Sequence, residues 1–206
     1  MRLLYAAFAF ILAPFISAEE LGYSATSDGS KWIITSGSGL VVTMLRSSCD
    51  IVSLKYNNQE LQYKSANTHI NSGLGSVTSS IKTLSDAKKT IQITCSKTGL
   101  TQYYFFRPNE NMIYMGTYHS KDLQLPELRF LARLSRSVVT SGITAAALDG
   151  FDVAVEAEDV VANSAGITRS KFYSGVPHID DTIHGAFGSK VGVYFVMSPQ
   201  AYETSI

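Results

Sequence analysis

Apolar side chains recur at every second position in several short segments of this chain, and this period limits the fold more than any other feature. In Thr90-Ile91-Gln92-Ile93-Thr94-Cys95, the side chains of Ile91, Ile93 and Cys95 share one face. Because side chains alternate between the two faces of a strand, such a segment is typical of a half-buried strand. No long stretch shows the 3.6-residue apolar period of an amphipathic helix. The pattern therefore predicts an all-β protein.

Turn residues separate the predicted strands. Asn57-Asn58 lies between two of them, and asparagine tolerates the positive φ that a tight hairpin turn requires. A second turn is predicted at Pro108-Asn109-Glu110-Asn111. Many short strands separated by turns favour an antiparallel β-sandwich. The predicted strands are 32–35, 40–45, 49–56, 59–63, 90–95, 102–106, 112–118, 127–134 and 191–197.

The stretch from Ser135 to Ala165 is less regular and rich in acidic residues, and we interpret it as a solvated loop region. A calcium site is the alternative, since carboxylate oxygens are ligands that calcium prefers. The spacing of the acidic residues alone does not favour such a site, so no metal site is predicted. These residues are Asp149, Asp152, Glu156, Glu158 and Asp159.

The N-terminus has the order of a signal peptide. Arg2 is followed by an apolar run from Leu3 to Ile16, and Ser17-Ala18 then precedes two glutamates. The run is shorter than the ~20 residues that a membrane span needs. We expect residues 1–18 to be removed, leaving a secreted, extracellular protein with no membrane segment. A buried core helix is the alternative interpretation.

The balance of charged residues indicates which partners to expect, and the cysteines indicate whether a disulfide forms. Lysine plus arginine and aspartate plus glutamate are equal at 17 each, which gives no indication of a nucleic-acid partner. Cys49 and Cys95 are the two cysteines, and in a secreted chain such a pair is expected to be oxidised. A disulfide between them would stabilise the fold by about 4 kcal/mol. Two buried free thiols are the alternative.

Eight segments, in order and spread over nearly all of residues 19–206, resemble the secreted rhamnogalacturonan lyases of polysaccharide lyase family four. Each is a weak match alone, but the ordered set is specific. The resemblance implies a catalytic β-sandwich of the galactose-mutarotase-like (super-sandwich) type over residues 19–206. Because that family continues past Ile206, it also implies that the C-terminal part of this domain is missing. The segments are 46–51, 60–63, 69–76, 100–103, 127–134, 168–174, 179–181 and 202–205.

The activity that the resemblance implies is β-elimination within rhamnogalacturonan I, the pectin backbone of alternating rhamnose and galacturonate. The bond to O4 of galacturonate is cut, and the product carries a 4,5-unsaturated uronate. Removing the C5 proton places charge on the neighbouring carboxylate, so a cation aimed at that group stabilises the transition state. The implied partner is plant cell-wall pectin, no cofactor is implied, and we expect a monomer.

Lys171 stands where this family has its catalytic lysine. If residues 168–174 are extended, Arg169, Lys171 and Tyr173 share one face, because side chains alternate. Two cations beside a phenol suit an anionic sugar, so Arg169 and Tyr173 become candidate substrate-binding residues. An ordinary basic strand at the surface is the alternative.

Arg129 and Arg133 are the other substrate-binding candidates. Both lie on one face of the predicted strand 127–134, with apolar residues on the opposite face, and about 13 Å of strand separates them. Guanidinium groups bind carboxylates through paired hydrogen bonds. Arg129 matches the arginine with which the family contacts the uronate. Sheet-face arginines in ordinary ion pairs are the alternative for both.

The family's catalytic base is a histidine of a Gly-His-Val segment that lies beyond Ile206. The histidines of this chain are therefore interpreted as structural or surface residues; they are His69, His119, His178 and His184. A lyase is the function we predict. The alternatives are a non-catalytic secreted protein that binds acidic pectin, and a secreted β-sandwich without a role in sugar binding.

Overall fold

A computed structural model describes residues 22–71, 74–120, 129–141, 149–156, 160–170 and 183–196. All regular secondary structure in these residues is β, and all strand pairs are antiparallel. The all-β prediction is therefore confirmed. No helix in the described part of the chain is long and apolar enough to cross a membrane. The predicted signal peptide, residues 1–18, lies outside the described residues.

The described residues contain sixteen strands, which are numbered in chain order. The first ten are β1 Ser24–Ser27, β2 Lys31–Thr35, β3 Leu40–Leu45, β4 Ile51–Tyr56, β5 Gln59–Glu60, β6 His69–Asn71, β7 Thr78–Thr83, β8 Ile91–Lys97, β9 Leu100–Phe106 and β10 Tyr114–His119. The remaining six are β11 Arg129–Leu131, β12 Val153–Glu156, β13 Val160–Ala162, β14 Thr168–Ser170, β15 Ile183–Phe187 and β16 Gly192–Val196.

Two sheets build the main part of the fold. One contains five strands in the order β1-β2-β3-β4-β5, and the other contains four in the order β10-β9-β8-β7. The predicted hairpin turn joins β4 to β5, where Asn57 and Asn58 adopt positive φ values of 46° and 63°. Asn109 also has a positive φ, 60°, in the predicted turn before β10. Both turn predictions are confirmed.

The buried faces of these two sheets form one apolar core, which makes the fold a sandwich. In β8 and β9 the buried and part-buried positions alternate along most of each strand, as period two requires. Cys49, just before β4, forms a disulfide with Cys95 in β8 across a Cα–Cα distance of 6.3 Å. The predicted disulfide is confirmed. It links the two sheets through the core.

Two strand predictions and one loop interpretation need correction. The predicted strand 59–63 is shorter in the structure, where β5 ends at Glu60. Of the predicted strand 127–134, residues 129–134 are described, and β11 covers only Arg129–Leu131. The stretch interpreted as a solvated loop region contains β12 and β13. The acidic residues dominated that interpretation, whereas the valines of 153–156 and 160–162 favour extended backbone. Strands β1, β6, β7 and β15 were not predicted.

Candidate functional site: a basic strand face beside beta6

The two predicted uronate-binding arginines lie on one extended segment. Arg129 begins β11, and Arg133 follows two residues after that strand ends. Both side chains are exposed, whereas Phe130 and Leu134 pack against the core. One apolar face and one charged face are therefore present over the described part of the predicted strand. The roles of both arginines in binding stay predictions.

Strand β6 positions Arg129. It pairs with β11 so that Arg129 lies opposite Asn71, Phe130 opposite Ile70 and Leu131 opposite residue 69. Ile70 is 6% exposed and belongs to the core, so the register turns Phe130 inward and Arg129 outward. A shift of the register by one residue would bury the guanidinium, which makes this pairing the source of its orientation.

Past β11 the same segment changes partner. Gln62 forms a bridge with Leu134, and Ser135 N donates to Leu61 O at 2.7 Å. Residues 64–67 are therefore looped out between two stretches, 61–63 and 69–71, that pair in turn with 129–135. Three of the segments that resemble the family are therefore neighbours in the structure, although the third is far from the other two in sequence. They are 60–63, the first three residues of 69–76, and the described residues 129–134 of 127–134.

Hydrogen bonds fix the backbone of Arg133 on both sides. Its amide donates to Thr68 Oγ1 at 2.8 Å, and its carbonyl accepts from Tyr63 N at 2.9 Å. Thr68 is itself buried and exchanges two backbone hydrogen bonds with Ile51 at the start of β4. The arginine is thus attached to the main sandwich, and its backbone is ordered before any ligand binds.

Aromatic rings pack on the side of β11 opposite Arg129. Phe130 packs edge-on against Tyr104 at 6.4 Å and against Phe195 at 6.0 Å between ring centroids. Tyr104 is fully buried, and its hydroxyl has no hydrogen-bond partner among the described residues. Burial, and secondarily the charge of Asp50, raises the pKa of Tyr104. This phenol therefore stays protonated and cannot serve as the base of an elimination.

Glu60 supports the stretch that leads to Tyr63. Its Oε1 accepts hydrogen bonds from Leu54 N at 2.9 Å and from Gln62 N at 3.0 Å, and Ser53 Oγ donates to Oε2. Burial acts to raise the pKa of Glu60, but these hydrogen bonds outweigh it and lower the pKa below its ordinary value. The charged carboxylate therefore replaces ladder hydrogen bonds where β5 ends.

Arg169 lies on a different sheet. It is the middle residue of β14, opposite Val161 of β13, in a three-stranded sheet of order β12-β13-β14. Its guanidinium carbon lies 4.4 Å from the ring centroid of Phe151, a cation–π contact that holds the half-buried side chain. Among the predicted binding residues, Arg129 and Arg133 therefore share a strand face, and Arg169 stands on separate strands.

Lys171 and Tyr173 lie outside the described residues, so their predicted roles are neither supported nor contradicted by the structure. Extended backbone for the start of their segment is present, since β14 covers 168–170. Within the described residues, no three side chains of histidine, cysteine, aspartate or glutamate are close enough together to hold a metal ion.

Two residues that sequence analysis did not select stand beside the arginines. Tyr63 lies opposite Arg133 and is 46% exposed. His69 lies opposite Leu131 and is half-buried. Both belong to segments that carried the family resemblance, which was the available signal. Their closeness to the arginines depends on pairing between segments some 70 residues apart, which the period of a single strand does not reveal.

Two antiparallel sheets around one disulfide-linked core make this an all-β sandwich protein. Residues 23–206 match the family described as rhamnogalacturonan lyase B, N-terminal. A rhamnogalacturonate lyase A of Aspergillus niger is 38% identical over 184 residues, which are 87% of this chain and 35% of that protein. The rhamnogalacturonate lyase A of Emericella nidulans is 36% identical over 189 residues, covering 89% of this chain and 34% of the relative.

The chain belongs to the family of rhamnogalacturonan lyase B N-terminal domains. It spans about a third of the length of these relatives, since 35% and 34% of their residues are covered. The predicted family resemblance is confirmed. What the relatives act on is a property of those proteins.

Proposed function

We propose that this chain is part of a secreted polysaccharide lyase that cleaves rhamnogalacturonan I by β-elimination. The observation that carries the proposal is that Arg129 and Arg133 are both exposed on one extended segment, in a chain of the rhamnogalacturonan lyase family. Both cations project outward from a backbone that is held by the main sandwich. Such a face suits a polymer with a carboxylate on every second sugar.

In this proposal the arginines bind and orient the uronate, and Lys171 supplies the positive charge that its carboxylate needs during proton removal. A base takes the proton from C5, electrons move into the C4–C5 bond, and the O4 substituent leaves with the bonding pair. The cation acts on a group whose charge grows in the transition state, so it lowers the barrier rather than only tightening binding. None of this requires a cofactor.

The direct test is the ultraviolet absorbance of unsaturated uronates after a longer protein, which contains this chain and the Gly-His-Val segment of the family, is mixed with rhamnogalacturonan I. We expect Lys171→Ala to lower the rate by about 10²–10³, the usual effect of removing one group that stabilises transition-state charge. Lys190→Ala removes an exposed lysine from a turn before β16 and should leave the rate unchanged. Equal rates for the Lys171→Ala variant and the wild type would remove Lys171 from the mechanism.

Binding without turnover is the competing outcome, because the described part of the site supplies cations and an aromatic ring. Calorimetry with rhamnogalacturonan oligosaccharides at low and raised salt separates the two functions. Affinity that falls with salt, without any unsaturated product, would indicate a carbohydrate-binding protein instead of a lyase. Absence of both binding and product would contradict both functions.

A further inference from the structure

Tyr63 presents a large ring to solvent directly beside Arg133. The residues before it, Leu61 and Gln62, are 2% and 3% exposed, whereas Tyr63 is 46% exposed. Directly opposed residues of antiparallel strands project from the same side, with Cβ atoms about 5 Å apart. The Tyr63 N to Arg133 O hydrogen bond of 2.9 Å shows that the two are opposed. The ring and the guanidinium therefore start from adjacent points of one surface.

The backbone that carries this ring is held more firmly than an ordinary loop. Gln62 Nε2 donates to Ala66 O at 2.7 Å, which closes the looped-out residues 64–67 onto the strand. The carboxylate of Glu60 accepts from the amide of Gln62 at 3.0 Å. Because Leu61 and Gln62 are buried and hydrogen-bonded, ordering the Tyr63 backbone costs little when a ligand arrives.

Arg133 is a cation and Tyr63 offers an aromatic ring, so a ligand that uses both must carry an anionic group next to an apolar face. A carboxylate is attracted by Arg133 and by exposed Lys64 next to Tyr63, but it gains nothing from the electron-rich face of a phenol ring. An apolar face of a sugar, with its C–H groups toward the ring, packs on Tyr63 without losing the hydration of its hydroxyls. A chain in which a uronate alternates with a deoxysugar offers both groups side by side.

We propose that Tyr63 is a substrate-binding residue whose ring packs against the rhamnose next to the galacturonate held by Arg133. The inference rests on the function proposed above and adds a specificity to it. Arg129 and Arg133 bind the uronates, and Tyr63 distinguishes the alternating backbone of rhamnogalacturonan I from a backbone made of galacturonate alone.

The test is calorimetry on the full chain and its variants, with two probes of equal length: rhamnogalacturonan I oligosaccharides and oligogalacturonates. We expect Tyr63→Ala to weaken binding of the first about tenfold and to leave binding of the second within twofold. Tyr63→Phe keeps the ring and should bind like the wild type. Tyr118→Ala is the matched control, since Tyr118 is 63% exposed on β10 of the four-stranded sheet.

Salt separates the contribution of the ring from that of the charges. The loss caused by Tyr63→Ala should be the same factor at low and raised salt, because the contact is apolar. Arg133→Gln should instead flatten the salt dependence of binding. Far-ultraviolet circular dichroism identical to that of the wild type shows that each variant is folded.

Two results would overturn the inference while the proposed function stands. One is a wild type that binds rhamnogalacturonan I and a Tyr63→Ala variant that binds it equally well. The other is an equal loss on both probes, which would make Tyr63 a general contact without selectivity for rhamnose. A wild type that binds neither probe would contradict the proposed function, and the assignment of Tyr63 would fall with it.

Discussion

The sheets that end at β10 differ from the strands that follow residue 129 in how completely they bury their apolar side chains. In β8 and β9, Ile93, Cys95 and Tyr104 have no exposed surface. In β12 and β16, by contrast, Val155 is 58% and Val196 is 66% exposed. The first region combines long ladders, a shared core and a disulfide. The second contains strands of three to five residues.

The strand face of Arg129 lies where these two regions meet. Phe130 contacts Tyr104 of the first region and Phe195 of the second, and Ile70 opposite it belongs to the core. The difference teaches that the sandwich with its closed core supports the border on which the predicted binding residues Arg129 and Arg133 lie. Substitutions in the closed core should therefore cost far more stability than substitutions in the later strands.

Removing the disulfide should have the largest effect on the first region. Replacing both Cys49 and Cys95 by alanine is expected to lower the free energy of unfolding by about 4 kcal/mol, because a closed loop of 46 residues no longer restricts the unfolded chain. Urea unfolding followed by the fluorescence of Trp32, the single tryptophan, measures this. Reductant should destabilise the wild type by a similar amount and leave the double variant unchanged. A reductant effect on the double variant would show that the comparison measures something other than the disulfide.

A matched pair of truncations compares the regions directly. Ile93→Ala should cost about 3 kcal/mol, since it opens a cavity in a closed core. Val155→Ala, at a 58% exposed position, should cost less than about 0.5 kcal/mol. The same urea experiment applies to both. Similar losses for the two variants would contradict the contrast between the regions.

A smaller effect than that of Ile93→Ala is expected at Glu60, and it depends on pH. The folded state lowers the pKa of this carboxyl, so its stabilisation is fully present above the unfolded value of about 4.3 and is lost as the pH falls through the lower folded value. Glu60→Gln should therefore cost about 1 kcal/mol near neutral pH, discounted for solvent screening, and progressively less below pH 4. Unfolding curves of both proteins across this range provide the measurement. A constant difference at all pH values would show that the carboxylate charge is not involved.

The sequence pattern predicted the strands with a fully buried face and missed most of the others, such as β1, β6 and β7 in the first region and β12, β13 and β15 in the second, for a physical reason. Strands such as 40–45 and 91–97 have one fully buried face, so their apolar residues recur at every second position. Strand β6 has three residues, of which Ile70 is buried, and strand β7 has no buried residue, so neither offers enough buried positions to define a period. Strands β12 and β13 were not predicted because the acidic residues around them favoured a solvated loop over the extended backbone that their valines prefer.

The site was predictable only in part. Alternation and the family resemblance predicted Arg129 and Arg133, and both side chains are exposed in the structure, but their roles in binding stay predictions. Tyr63 was missed because its neighbour across the strands is 70 residues away, and no local pattern encodes such a pairing. The assignments of Lys171 and Tyr173 remain predictions that come from the family resemblance.

By itself, the sequence determined the class of fold, the hairpin at Asn57-Asn58, the disulfide of Cys49 with Cys95 and the family. The fold class follows from local alternation, and the hairpin follows from the backbone preference of asparagine. The disulfide follows because each cysteine has one possible partner, and the family follows from an ordered set of segments. Only the tertiary structure decided that 61–63, 69–71 and 129–135 lie together and that Tyr63 accompanies Arg133. Pairing between distant strands is selected by burial of Ile70, Phe130 and Leu134 in a core that exists only once the whole sandwich has folded.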